Sequence, residues 1–416
     1  MDGQHAVLAA GVPVYALGFV DNTHLFYVGG GGAGRSGVAN GIKSAELQLS
    51  DGASLRAAGD LKLSASEDAP MCVAVHPQDG SLVCGVNEEP ARVAQGENAH
   101  VRVFGYTTTT APAARADAAA GRAELSVTIT PRAAVPSLGI TDPEHYQKTA
   151  TFSPDGSLLA LASSDGKVQL HRYPSLEPVW TSATSAVPGG KEVYDTDFSH
   201  DGTQLAITTA AQIIVLSTAP KTTEEGGVLT YTPRVLQTIE SANIGSAQRG
   251  SFRMAQFGRS TGLSVGTRDR LFALVNTTPA PGSKTRACYV AAWDADAWKM
   301  LGARKVSNRP GTVLAVSNNG RLLAVGTSDL SLSVLQARTL QPLLREENVH
   351  DFPPTCVAFA PNSRALVSGS ADSTVRVRVL PSGMVPKLTL SDELLFVLFF
   401  VLSVIFAVLI WKIQGH

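Results

Sequence analysis

The fold class the sequence predicts is all-β: a seven-bladed β-propeller followed by a single C-terminal transmembrane helix. Three observations predict it. A strand-turn-strand block recurs about seven times, its turns are rich in Asp-Gly and Asn-Gly, and one uninterrupted apolar run lies near the end of the chain.

The clearest block is TATFSPDGSLLALASSDGKVQLHRY, residues 149–173. Its turns, Asp155-Gly156 and Asp165-Gly166, supply the positive φ that tight hairpins need. Further copies start at Met71, Tyr194, Thr312 and Thr355, with looser ones near Val14 and Phe252. Their spacing scatters around the WD-repeat period of about 40 to 45 residues. Strands this short cannot bury both faces alone, whereas four-stranded blades stacked around an axis cover one another. A β-sandwich is the structural rival, and similar three-strand blocks fit it less well than radial repetition. Residues 1–390 are therefore assigned to a WD-repeat propeller. Polar, Thr-, Ala- and Pro-rich segments after Tyr106, after Ser217 and from Asn276 suit exposed loops between blade strands.

Composition narrows the function classes. The hydrophobic content of 44% is ample for a packed core. Lys+Arg (34) and Asp+Glu (35) nearly cancel, leaving a formal charge of -1, so no global field draws the chain to phosphate backbones and nucleic acid is not an expected partner. Cys72, Cys84, Cys288 and Cys356 are scattered without a Cys-x-x-Cys pair, which suggests neither zinc nor a disulfide framework and suits a reduced, cytosolic domain. The first residues show no basic stretch leading into a long apolar one, as a secretory signal would.

Residues 394–411 read LLFVLFFVLSVIFAVLIW, with Ser403 as the one hydroxyl. Roughly 18 residues at about 1.5 Å each span about 27 Å, which matches a relatively thin bilayer such as that of the endoplasmic reticulum. Trp411 and Lys412 are placed to anchor the far interface, leaving residues 412–416 as a short lumenal tail. Lys387, Arg376 and Arg378 on the near side are compatible with a propeller facing the cytosol.

The most unusual stretch is VGGGGAGRSGVANGIK, residues 28–43. Its glycines allow backbone conformations that side chains forbid, so that carbonyls or amides can be turned inward around an ion. A phosphate loop would close on Gly-Lys-Ser/Thr and open a helix, and here Lys43 leads instead into a strand-like run. The residues alone allow two readings, a flexible hairpin or a loop braced by Asn40, which lies between Val38 and Ile42, with an exposed aliphatic residue as a wedge. Other candidates are weaker. Gly258-Arg259-Ser260-Thr261-Gly262 has the Gly-x-Ser-x-Gly spacing without a strand-to-helix elbow. Asp79, Asp155, Asp165 and Asp201 are read as turn caps. His76, His171 and His200 share no ligand spacing, and Trp180, Trp293 and Trp298 are read as packing residues.

The stretch at residues 28–43, with the preceding PVYALGFVDNTHLFYVGGGG, resembles the signature loop and opening strands of the Sec-twelve and PREB family. With the seven-bladed propeller and C-terminal anchor, the resemblance covers nearly the whole chain. It implies a guanine-nucleotide exchange factor, rather than a bond-making enzyme, acting on a Sar-family small GTPase at the endoplasmic reticulum membrane to start COPII vesicle formation. It further implies that Gly34, Arg35, Ser36, Gly37, Val38, Ala39 and Asn40 form the GTPase-contacting loop, Val38 being the aliphatic contact and Asn40 the loop-organising amide. Arg35 and Ser36 occupy positions where members vary. A potassium ion held by Gly31, Gly32 and Asn40 is implied in the same way. Two rivals come from other classes: a membrane-tethered WD-repeat scaffold without exchange activity, and a hydrolytic propeller.

Overall fold

The computed structural model describes residues 4–34, 37–49, 52–111, 124–180, 190–222, 229–230, 233–241, 250–260, 267–279 and 286–384. The chain divides into two compact units, Met1–Leu380 and Pro381–His416. In the second, only the turn at Pro381–Met384 is described, closed by the Met384 N–H on Pro381 O at 3.1 Å. The expected membrane span at 394–411 lies outside the described residues. Among those described, no helix is long and apolar enough to cross a membrane.

The first unit is a seven-bladed β-propeller, as the repeats predict. Blade 1 is built from Val14–Phe19, His24–Gly29, Gly41–Gln48 and Ser54–Lys62. Blade 2 uses Val73–Val75, Ser81–Gly85, Val101–Ala111 and Glu124–Val135. Blade 3 has three strands, Gln147–Phe152, Leu158–Ser163 and Val168–Arg172, with a single bridge from His171 to Pro178 marking where a fourth would run. Blade 4 is Val193–Phe198, Gln204–Thr209, Gln212–Ser217 and Arg234–Glu240. Blade 5 is Gly250–Phe257, Arg270–Thr277, Cys288–Asp294 and Met300–Ser307. Blade 6 is Gly311–Val316, Leu322–Thr327, Leu332–Gln336 and Pro342–Glu346. Blade 7 joins Pro354–Phe359, Ala365–Ser370 and Thr374–Val379 to the N-terminal strand His5–Ala9. Within each blade neighbouring strands run antiparallel, and the innermost strands touch in sequence around the ring, with blade 7 against blade 1. The ring closes where His5 pairs with Arg378 and Ala9 with Thr374, and the Val379 N–H donates to Gln4 O at 2.8 Å.

Local turn chemistry explains why these blocks become hairpins. In the turn after the innermost strand of blades 3, 4 and 6, a serine hydroxyl contacts the Asp or Asn two residues on: Ser153 with Asp155, Ser199 with Asp201, Ser317 with Asn319. The same hydroxyl accepts the N–H that restarts the chain, at Leu158, Gln204 and Leu322. Gly156 follows at φ +77°, the left-handed region the turn requires. The turn acids are therefore structural, as read from the sequence. Two of the expected loops are partly strand instead: Thr107–Thr110 extend the third strand of blade 2 against residues 125–128, and Lys221–Thr222 pair with Leu229–Thr230. Threonine's β-branched side chain suits a strand, and its polarity does not prevent pairing.

Packing lies between blades. The second strands, such as Leu158–Ser163 and Ala365–Ser370, are buried on both faces. Phe252, Phe257 and Trp293 of blade 5 pack on Ile213 and Val215 of blade 4, and Leu25, Tyr27 and Leu47 of blade 1 pack on Val367, Val375 and Val377 of blade 7. Each fully buried Leu or Val contributes about 1.5–3 kcal/mol. Cys72, Cys84 and Cys288 are buried free thiols, and Cys356 is partly buried. Burial pushes Cys72 up to about 11 and Cys288 and Cys356 up to about 12, so they act as small apolar groups. Trp180 is fully buried, consistent with packing.

Buried histidines organise the blade edges. His350 accepts at Nε2 from the Ser368 hydroxyl at 2.8 Å and faces the Asp372 carboxylate through Nδ1 at 3.0 Å, fixing the entry to blade 7. His100 is fully buried, its Nε2 accepting the Leu138 N–H at 3.2 Å, so Nδ1 carries the proton toward Gln147 Oε1 at 3.0 Å. Burial, which disfavours the charged imidazolium, holds the His100 imidazole down at about 4. A group whose folded value lies below its unfolded one contributes stability above the unfolded value and loses it on acidification. Between pH 6.5 and about 4, His100 should therefore cost up to about 1.4 kcal/mol per pH unit, about 3 kcal/mol in all. Urea unfolding of the native chain and of His100→Gln across that range should show a steeper acid loss in the native chain. Equal slopes, or an imidazole that titrates near 6.5 by NMR, would contradict a buried neutral ring.

Candidate functional site

The glycine loop connects the second and third strands of blade 1, above a base closed by the pairing of Gly29 with Gly41. Connections of this kind emerge on the face where each innermost strand begins. Lys43 lies on the third strand, paired with Asp60 at 3.0 Å, so a strand and not the helix of a phosphate loop follows.

The root of the loop is built around Asn40, which is 2% exposed. Its Oδ1 accepts the Gly32 N–H at 2.9 Å. Its Nδ2 donates to Gly32 O at 3.2 Å and to Glu67 O at 2.8 Å. The Asn40 carbonyl accepts the Leu63 N–H at 2.9 Å. One side chain thus clasps two segments that are remote in sequence, and every polar atom of the amide is satisfied. Gly30 permits this approach: a Cβ there would lie 2.2 Å from Asn40 Oδ1. Gly32 adopts φ +79°, a conformation disfavoured for side-chain-bearing residues. The Gly30 N–H reaches Pro13 O at 3.2 Å, and Asp68 Oδ1 accepts from the Ala33 and Ala69 N–H groups at 3.3 and 2.8 Å.

Above this root the tip is presented to solvent. Gly34, Gly37, Val38 and Ala39 are exposed, Val38 at 37%, and Gly37 turns the chain at φ +75°. Arg35 and Ser36 lie outside the described residues. Gly31 and Gly32 are half-buried at the root with the buried Asn40, whereas Gly34, Gly37, Val38 and Ala39 of the expected contact set are exposed. Glu67, Asp68 and Pro13, which hold that base, carry no motif, and sequence reasoning missed them.

An axial channel of about 480 Å³ is lined by the innermost strands. Its acids serve the ring: Asp195 Oδ2 accepts the Ala255 N–H at 3.3 Å and Asp197 Oδ2 the Phe257 N–H at 2.7 Å, joining blades 4 and 5. Burial, then the neighbouring Asp197 charge, raises Asp195 well above the usual carboxylate range, while Arg259 at 2.6 Å offsets the rise at Asp197. Ser260 is buried beside the end of an inner strand, and Thr261 and Gly262 lie outside the described residues, so no nucleophile elbow forms within the described part of that motif. Among the described residues no group of three His, Cys, Asp or Glu side chains could hold a metal ion.

Comparison with known proteins places this geometry in context. Residues 342–378 match the WD domain, G-beta repeat family, and residues 150–226 match the anaphase-promoting complex subunit 4 WD40 domain. The first of these spans the blade 7 segment ordered by His350. The chain is 26% identical over 388 residues to the guanine nucleotide-exchange factor SEC12 of Candida glabrata, covering 92% of this chain and 74% of that one. It is 27% identical over 408 residues to the SEC12 of Rattus norvegicus, covering 89% of each. It is also 25% identical over 379 residues to the putative guanine nucleotide-exchange factor SED4 of Candida glabrata, of which it spans 32%. The resemblance read from the glycine loop is therefore found along about nine-tenths of the chain.

Removing the clasp has a calculable cost. Asn40→Ala strands the Gly32 N–H and the Glu67 carbonyl, and should lower the unfolding free energy by about 1–3 kcal/mol. Hydrogen exchange should place the new mobility at residues 30–34 and 63–69. Unchanged protection there would mean that the amide does not hold the loop.

Proposed function

We propose that the chain is a guanine-nucleotide exchange factor for a Sar-family small GTPase at the endoplasmic reticulum membrane, where it starts COPII vesicle formation. One observation carries this: a glycine loop clasped at its root by Asn40 with Val38 displayed at its tip. It occurs in a chain similar over about nine-tenths of its length to proteins named as such factors, which supports the reading.

Exchange requires no bond-making group. The loop has to bind the nucleotide-free GTPase more tightly than the GDP-bound form, since a partner of equal affinity for both shifts nothing. About 4 kcal/mol of such preference corresponds to roughly a thousandfold acceleration. A stiff loop serves this better than a floppy one, because the energy of contact is not spent on ordering it. Val38 is the wedge, and Gly34, Arg35, Ser36, Gly37 and Ala39 form the rest of the contact surface. Residues 394–411 anchor the chain, with the propeller in the cytosol and 412–416 in the lumen, so that activation is confined to one membrane.

A potassium ion at Gly31, Gly32 and Asn40 is proposed from the resemblance alone; Gly32 O and Glu67 O already accept from Asn40 Nδ2, at 3.2 and 2.8 Å, so an ion would use the remaining lone pairs of such oxygens. A large, weakly hydrated cation suits such neutral oxygens and would further stiffen the loop.

Fluorescent-GDP release from a Sar-type GTPase tests the proposal. The chain should accelerate release, and Val38→Asp should remove at least about tenfold of the effect, since a charge cannot be desolvated in an apolar contact, while melting is unchanged. Replacing potassium by lithium should slow exchange and loosen the Gly32 amide in hydrogen exchange. Binding indifferent to nucleotide state, without faster release, would instead identify a tethered scaffold.

A further inference from the structure

The glycine loop is not held by its own blade alone. Two of its remote acceptors, Glu67 O and Asp68 Oδ1, sit on the segment linking blade 1 to blade 2. That segment is in turn pinned from blade 2. Arg102, the second residue of that blade's third strand, donates through one Nη2 to Glu67 Oε1 at 2.8 Å and to Glu88 Oε1 at 2.6 Å. The other oxygen of Glu67 accepts the Ser64 N–H at 3.1 Å, and the Asp68 N–H donates to Asn87 O at 3.0 Å. Arg92 takes the second oxygen of Glu88 at 2.8 Å. The side chains of Arg102 and Glu67 are each 18% exposed and that of Glu88 is 11% exposed, so solvent screens them little.

We propose that Arg102 is a positioning residue for nucleotide exchange: it fixes Glu67 from blade 2, and so sets the backbone carbonyl on which Asn40 clasps the glycine loop. The proposal rests on the exchange reading of the loop. Without the guanidinium, two mostly buried carboxylates lose the cation between them and separate. Glu67 then turns, its carbonyl leaves Asn40 Nδ2, and the wedge arrives misplaced although no residue at the tip has changed.

The test uses the full chain in detergent micelles, with GDP release from a Sar-type GTPase and hydrogen exchange of the Gly32 and Ala33 amides measured on the same variants. Arg102→Met should lose roughly ten- to a hundredfold of exchange, the scale of a small misplacement at a distance, with both loop amides exchanging faster. Arg102→Lys should recover part of the loss. Arg102→Met combined with Asn40→Ala should be no worse than Asn40→Ala alone, because both act through one carbonyl. If Arg102→Met fails to fold, Glu67→Gln carries the same test, since it keeps the carbonyl and removes only the charge. Native exchange by the folded variant, or lost exchange with loop amides unchanged, overturns the proposal. If the native chain fails to accelerate GDP release, the exchange reading falls, while the loop amides of Arg102→Met still decide whether the clasp depends on blade 2.

Discussion

No blade of this propeller is stable by itself, and the rest of the structure follows from that constraint. A second strand such as Leu158–Ser163 is buried on both faces, so its side chains need a sheet on either side. The apolar clusters accordingly straddle blade boundaries rather than lie within blades. A ring is the arrangement in which every blade has two neighbours. The strand His5–Ala9, borrowed by blade 7, turns that arrangement into a closed one. Stiffness at any one connection is thereby shared by the blades on both sides.

The glycine loop draws on that stiffness. Glycine is usually equated with freedom, and freedom at a binding tip costs affinity when it is lost. Here the glycines serve the opposite end. The absence of a side chain at Gly30 lets the Asn40 amide come close enough to satisfy its bonds, Gly32 supplies the left-handed turn, and once satisfied the amide fixes the backbone around it. Exposed Gly37, Val38 and Ala39 and the buried Asn40 root thus lie within one short segment.

Much of the fold was legible because its signals are local. The Ser-x-Asp-Gly turns at Ser153 and Ser199 encode their hairpins within a few residues, and each is followed by a strand whose apolar run is plain in the sequence. The closing strand was not legible, since His5–Ala9 finds its partner across nearly the whole chain. The threonine-rich continuation at Thr107–Thr110 was misread because polarity was taken for a loop when β-branching favours a strand. The loop and Asn40 stood out by composition, whereas Glu67, Asp68 and Arg102 are ordinary charged residues whose meaning appears only when blades 1 and 2 come together.

The closing pair of strands fixes more than stability. Gln4 and Val379 share a hydrogen bond, so the two ends of the propeller leave side by side. Antiparallel order within the blades places that exit on the side away from the connections between second and third strands, where the glycine loop stands.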